Sequence, residues 1–439
     1  MPMKYRLIQI NDNLVTHSGL SIVGQMLAKT SLKKRLDRSA IPKITDPTIL
    51  HSEVVKSYVG LLCQGKSDFD HIEAFREDIF FPQALRVKKV PSSPTLRQRF
   101  NLAGKRWKEI ILEESAVMLK ALDAVLTPCI RDFVPLDIDV TPFDNSNTKK
   151  EGVNRTYKGH DGYAPIFAYL GQEGYGVNVQ LREGKDHSQN GTPEFLTQTI
   201  QYARMITDVP LLIRMDSGFD SVDNLKVCLN TETPTDFIIK RNLRRESKEG
   251  WLNIAEQNGI CCLERDGKKV YLGDLVTKVK GVDLPVRMVY RVVERTITAS
   301  GQYLMMPDLE VETYWTTLPD SPATIIDLYH NHGTSEQFHS EIKGELDLER
   351  LPSGKFDTNH IVLTMGLLAY NILRFIGQAS LGAKAPLRKK VQRRRIRTVI
   401  QNLITIAAKL ISHARSWTLG FGRHSPWFQT FQHIYRIVS

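Results

Sequence analysis

Two compact apolar runs, each closing on an aspartate, limit the fold of this chain more than any other feature. They are Phe133-Val-Pro-Leu-Asp-Ile-Asp-Val-Thr141 and Leu211-Leu-Ile-Arg-Met-Asp-Ser-Gly218. An unbroken apolar strand is covered on both faces, which is the situation of parallel central strands sandwiched between helices. At the end of such a strand an unpaired carboxylate is costly unless a cation compensates it. The everyday alternative is a strand-end cap or turn residue. Asp139 and Asp216 are therefore candidate metal ligands, with Asp137 competing for the first position from the same strand face.

The surrounding pattern extends the same reading. Strands are predicted at Phe133–Val140, Tyr163–Leu170, Tyr175–Leu181, Leu211–Met215 and Phe237–Lys240, with a turn at Gly171 to Gly174. Helices are predicted from Thr192 to Ile206 and from Asp220 to Cys228. The order β-β-β-α-β-α-β defines an α/β layer of the ribonuclease-H-like kind, here residues 129–240. Residues 241–318 alternate apolar and polar around Asp266-Gly267 and Ser300-Gly301 turns and read as a β-rich insertion. The core resumes over 319–378, with Asn359 to Phe375 expected to pack behind its first helix. Residues 1–128 read as helical, and 379–439 as a basic helical tail.

A third acid comes from Tyr329-His-Asn-His-Gly-Thr-Ser-Glu336, followed seven residues later by Lys343. On one continuous helix Tyr329, His332, Glu336 and Lys343 share a stripe about 21 Å long. A carboxylate flanked by a phenol, an imidazole and an ammonium suits a metal ion and a row of phosphates. Gly333 and the capping-box pattern Thr334-Ser-Glu-Gln337 also permit a break, with a new helix starting just before Glu336.

These blocks resemble the DDE transposases of bacterial insertion sequences, in particular the IS-four superfamily with its Y-(2)-R-(3)-E-(6)-K signature. Asp139-Val-Thr141 matches the family's Asp-x-Thr. Tyr329, Glu336 and Lys343 match the signature, while His332 stands at the arginine position. The resemblance implies a ribonuclease-H-like catalytic core and Asp139, Asp216 and Glu336 as catalytic ligands of two Mg²⁺ ions, with Mn²⁺ able to substitute. It further implies cleavage at terminal inverted repeats, joining of 3′ ends to target DNA, and at least a homodimer in the synaptic complex. Tyr329, His332 and Lys343 would hold DNA phosphates. Trp315 lies where related enzymes place an aromatic that stacks on a flipped base, or else packs the insertion. The N-terminal helices would recognise ends and form oligomers. His332 in place of arginine leaves open a second reading, a catalytically impaired copy acting only as a DNA-binding protein.

Charge points to the same partner. Fifty-nine Lys and Arg against 48 Asp and Glu give +11, which favours a polyanion. From Lys355 to the C-terminus 14 basic residues face one acid, Asp357. The run Arg388, Lys389, Lys390, Arg393, Arg394, Arg395, Arg397 is densest, and is expected to contact the DNA backbone without sequence preference. Five cysteines form no CxxC pair, in keeping with a reducing compartment and no zinc site. With no signal-like start and no run of about 18 apolar residues, the expected setting is the cytoplasm, at the nucleoid, without a membrane partner.

Overall fold

The computed structural model describes residues 3–229, 235–298, 300–387, 391–414 and 416–439. It divides into two compact units, Val125–Ser340 on the one hand, and residues up to Ala124 with Glu341–Ser439 on the other.

The Val125–Ser340 unit is built on a mixed sheet of nine strands among the described residues. In chain order they are β1 (Val134–Val140), β2 (Ile166–Leu170), β3 (Tyr175–Gln180), β4 (Leu211–Met215), β5 (Thr235–Arg241), β6 (Ile260–Arg265), β7 (Lys268–Thr277), β8 (Val286–Ile297) and β9 (Tyr303–Thr316). Their order across the sheet is β6-β7-β8-β9-β5-β4-β1-β2-β3. Strands β1, β4 and β5 run parallel, in register at Leu136↔Ile213↔Phe237; every other neighbouring pair is antiparallel. All five residues of β4 are buried, as an apolar run covered on both faces requires.

Residues 241–318 are rich in β-strand, and their strands join the core sheet. Strand β9 pairs with β5 through Tyr314↔Lys240 and Trp315↔Ile239, so these strands lengthen the core sheet. The reason is a shared core: Leu212 and Ile238 pack with Val289, Tyr314, Ile325 and Leu328. The segment also contains a helix, Lys248–Asn258, capped by Ser247. A small second sheet, formed by Phe143–Asp144, Asn154–Arg155 and Asp161–Tyr163, escaped the sequence pattern because its strands are only two or three residues long.

Gly174 shows how the turn between β2 and β3 serves the site. Its φ of +74° lies in the left-handed region, and a Cβ there would sit 2.1 Å from the Phe338 ring. A side chain is thus excluded both by backbone conformation and by the close approach of the helix that carries Ser335, Glu336 and His339.

The other unit is mainly helical. Its centre is the 24-residue helix Phe356–Ala379, buried from Thr358 to Gly377. It packs on His51–Leu62, Ser93–Ala103 and Lys108–Ala121. A helix that is apolar all round needs such enclosure. It has the length and apolarity of a membrane span, but that window is wholly buried in protein. Residues 319–378 are divided at Ser340 between the two units, and this helix groups with the N-terminal helices. The tail is not wholly helical either. Ala408–His413 and Ser416–Phe421 form a β-hairpin that Leu14–Val15 extends to three strands, and the helix Phe428–Val438 follows. Alternation in Ala408-Lys-Leu-Ile was the overlooked strand signal.

Arg374, fully buried on the long helix, donates to Glu341, to the Tyr370 hydroxyl at 2.8 Å and to the Arg394 carbonyl at 3.0 Å. Glu341→Ala leaves that guanidinium without its counter-charge and is expected to lower stability by about 3–5 kcal/mol in urea unfolding. Arg395→Ala, removing a largely exposed partner of Glu345, should cost no more than about 1 kcal/mol in the same measurement.

Candidate active site

The parallel pairing of β1 and β4 creates the site. Ile138 is opposite Met215, the last residue of β4. The next residues, Asp139 and Asp216, therefore emerge side by side from neighbouring strands. Asp216 caps a 3-10 turn, Ser217–Phe219, and accepts the Gly218 N–H at 2.9 Å. Asp139 Oδ1 accepts the Val140 N–H at 2.8 Å.

Asp137 is removed from contention by its partner. Arg214 grips it with two hydrogen bonds, Nε to Oδ1 at 2.6 Å and Nη2 to Oδ2 at 2.7 Å, and donates to the Leu328 carbonyl at 2.7 Å. Both side chains are almost fully buried. A bidentate pair of this kind is a structural fixture.

The remaining two acids are electrostatically unequal. Burial, and then the charge of Asp139, push the Asp216 carboxyl up, against weaker opposing help from Gly218, His332 and Lys240. Burial pushes Asp139 up too, but the His339 hydrogen bond and charge, with smaller contributions from His332 and Val140, bring it below the usual range. A half-buried carboxylate whose ionisation the neighbouring acid opposes, as at Asp216, marks a place where a cation is favoured.

The helical block is broken where Gly333 allows. Pro322–His330 is one helix, Asn331–Thr334 a 3-10 turn, and Ser335–Ser340 a second helix. Tyr329 is half-buried against Tyr314, with ring centroids 4.8 Å apart. Burial, followed by the charges of Asp216 and Asp139, pushes its phenol up. His332 is buried, its Nδ1 3.6 Å from Asp137 Oδ1 and without a hydrogen-bond partner. The face turned to Asp139 is that of Ser335 and His339, at 3.4 and 3.2 Å from Oδ2. Glu336, about 100° round the helix from Ser335, is exposed. The structure thus brings Asp139 and Asp216 together without Glu336. Among the described residues no group of three or more His, Cys, Asp or Glu is placed to hold a metal ion. Lys343 lies in a π-helical turn, Glu341–Glu345, within the other unit.

Three neighbours of the acids were missed in the sequence. Ser335 and His339 carried the i, i+4 signal of a shared face, overshadowed by Glu336 between them. Tyr157 carried none, since it lies in a loop. Its ring is exposed, and its hydroxyl donates to the Val140 carbonyl at 3.3 Å. Burial of that end, then the charges of Asp139 and Asp216, push its phenol up to about 12.

Trp315 is buried. Its Nε1 donates to Asp220 Oδ1 at 3.0 Å and the Arg241 guanidinium lies 5.4 Å from its ring centroid. It contributes to the wall of a cavity of about 490 Å³ rimmed by Arg241, Arg244, Lys278 and Lys280. Of the basic run, Arg388, Lys389 and Lys390 lie outside the described residues. The others are not the free cluster expected. Arg394 is buried, donating to Ser380 at 3.1 Å and lying over Trp427. Arg393 is half-buried. Arg395 and Arg397 pair with Glu345 at 3.4 and 2.9 Å. The offsetting acids precede the run in sequence, so the missing negative charge after Asp357 was no guide.

Acids set at the ends of adjacent parallel strands, within an α/β sheet, are the marks of a DDE catalytic domain. The chain belongs to the transposase DDE domain group 1 family, whose model matches residues 4–439. No curated protein matches it significantly. Among solved structures it resembles a piggyBac transposase synaptic complex with hairpin DNA, at 10% identity and a TM-score of 0.42, over 89% of this chain and 80% of that one. So loose a superposition places no individual residue.

Asp216→Asn removes one of two neighbouring, half-buried negative charges. The folded-state carboxyl is raised, so its ionisation costs stability as pH climbs from the ordinary aspartate value through the folded one. The variant should melt at a higher temperature than the parent at neutral pH, and the gain should vanish in acid, where Asp216 is protonated folded or unfolded. Calorimetric melting across pH measures this; an equal or lower melting temperature at neutral pH would contradict it.

Proposed function

We propose that this transposase binds double-stranded DNA at terminal inverted repeats, cleaves the element ends and joins the 3′ ends to target DNA, acting as a homodimer. The observation that carries the reading is the Asp139–Asp216 pair at the ends of adjacent parallel strands. The sheet order β3-β2-β1-β4-β5, with only β2 reversed, is the arrangement of a ribonuclease-H-like core. The paired carboxylates fit divalent cations: they are acceptor-only, and their repulsion on Asp216 is what a cation relieves. Asp139, Asp216 and Glu336 are the ligands this reading assigns to Mg²⁺ or Mn²⁺. Bound as a pair, such ions supply the Lewis acidity that activates water or a 3′-hydroxyl and stabilises the departing oxygen.

The rest of the work falls to the chain's own side chains. Tyr157, exposed beside both acids, can lie along a DNA strand, and Tyr329 lines the site from the opposite segment. Arg241, Arg244, Lys278 and Lys280 line one cavity with Asp220 and Glu246, and this basic excess supports backbone contact that weakens with salt. Glu336 starts on the exposed side of its helix, so completing the ligand set requires that helix to turn.

That same exposure, with His332 buried beside Asp137, favours one second reading: a protein that binds DNA without cutting it. A duplex carrying the inverted repeats that flank this reading frame, incubated with Mg²⁺, separates the two. Cleavage and strand transfer are expected, slowed roughly 10³-fold or more by Asp216→Asn as several kcal/mol of charge stabilisation are lost. DNA affinity should be unchanged in that variant. Tight binding by the parent chain without cleavage would establish the second reading, and undiminished cutting by the variant would refute the site.

A further inference from the structure

A hydrogen-bonded chain runs from the sheet to Asp139. His339 is 5% exposed, packed 5.4 Å from the Phe167 ring and 5.3 Å from that of Tyr169. Its Nε2 lies 3.2 Å from Asp139 Oδ2, and its Nδ1 3.1 Å from the Tyr169 hydroxyl. An ionised carboxylate only accepts, so Nε2 bears a hydrogen and donates to Asp139, while Nδ1 shares a hydrogen bond with the Tyr169 hydroxyl. Tyr169 is fully buried on β2, where it pairs with Asp137 of β1. The imidazole is therefore fixed in position and orientation by the sheet that also carries the acid.

The consequence falls on the carboxylate. Oδ2 is taken up by His339, with Ser335 at 3.4 Å, while Oδ1 accepts only the Val140 N–H among the described residues. A carboxylate anchored through one oxygen keeps an open lone pair, in a set direction, on the other. We propose that His339 is a positioning residue of the cation site, orienting Asp139 through the Tyr169–His339–Asp139 chain; this rests on Asp139 and Asp216 being cation ligands. Partners that orient a ligand in this way commonly change metal affinity by about 10–100-fold when removed.

Mn²⁺ binding to the full-length chain without DNA, followed by electron paramagnetic resonance, tests the assignment apart from catalysis. His339→Phe keeps a ring in the pocket but removes the donor, and should weaken Mn²⁺ binding about 10–100-fold. His339→Gln, whose side-chain amide can replace the Nε2–H, should restore most of the affinity. Tyr169→Phe should weaken it less, in the same direction. Near-UV circular dichroism establishes that each variant is folded. Parental affinity in His339→Phe would make the histidine a packing residue and overturn the proposal. So would a folded His339→Gln as weak as His339→Phe. Should the parent bind Mn²⁺ no better than Asp139→Asn, the cation reading itself fails and takes the proposal with it, a result distinct from either of the others.

Discussion

The parallel register between Val134–Val140 and Leu211–Met215 is the constraint on which the site depends. Because Ile138 lies opposite Met215, two aspartates separated by 77 positions in the sequence leave the sheet at the same level. Any slip by one residue would turn one of them to the opposite face. The register is protected by burial: both strands are buried along their paired length and apolar there except for Asp137 and Arg214, and a slipped strand would expose that surface. It is also pinned electrostatically. Arg214 and Asp137, paired across the same two strands, close a bidentate ion pair in the interior, and the wrong register would leave two buried charges apart.

This arrangement separates the acids by role. Asp137 and Asp139 share a strand face, yet Asp137 is neutralised by an arginine and Asp139 is held by neutral or donor groups from a helix. Asp216 has one backbone N–H and the field of its neighbour. Burial and the charge of Asp139 make ionisation of Asp216 unfavourable, a condition that often accompanies groups placed for chemistry. Strain of this sort persists because the surrounding core overdetermines it: Leu212, Ile238, Val289 and Tyr314 hold the strands whatever the acids do.

Much of this was legible in the chain. Leu211–Met215 and Thr192–Ile206 have the bounds that apolar length and the Thr192-Pro193 start suggested, since strands buried on both faces and capped amphipathic helices carry their own punctuation. Asp139 and Asp216 were legible because a carboxylate ending an apolar run conflicts with its surroundings. What stayed hidden depends on tertiary pairing. Nothing local distinguishes Asp137 from Asp139 until Arg214 is found opposite. That the β-rich segment 241–318 pairs with Thr235–Arg241 was not legible, because strand neighbours are chosen by facing side chains far apart in sequence. Arg394, Arg395 and Arg397 looked like an open cationic patch, but their partners, Ser380 and Glu345, come from other elements.

The segment from Asn331 to Glu345 shows why the stripe of Tyr329, His332, Glu336 and Lys343 could not survive as drawn. Shared facing assumes uniform α-helical turns, and here a 3-10 turn precedes Ser335 and a π turn follows Ser340. The 3-10 turn winds the chain tighter, so Tyr329 and His332 are rotated off the face of Glu336. Gly333 and Gly344 sit in these turns with open space about them, and neither resists a change of winding. The six residues between are anchored to the sheet by Phe338, which fills the space over Gly174, and by His339 on Asp139. Turning Glu336 inward would therefore displace Ser335 and His339 unless the flanking turns absorb the rotation. The helix is thus held to the sheet by Asp139 itself, through Ser335 and His339.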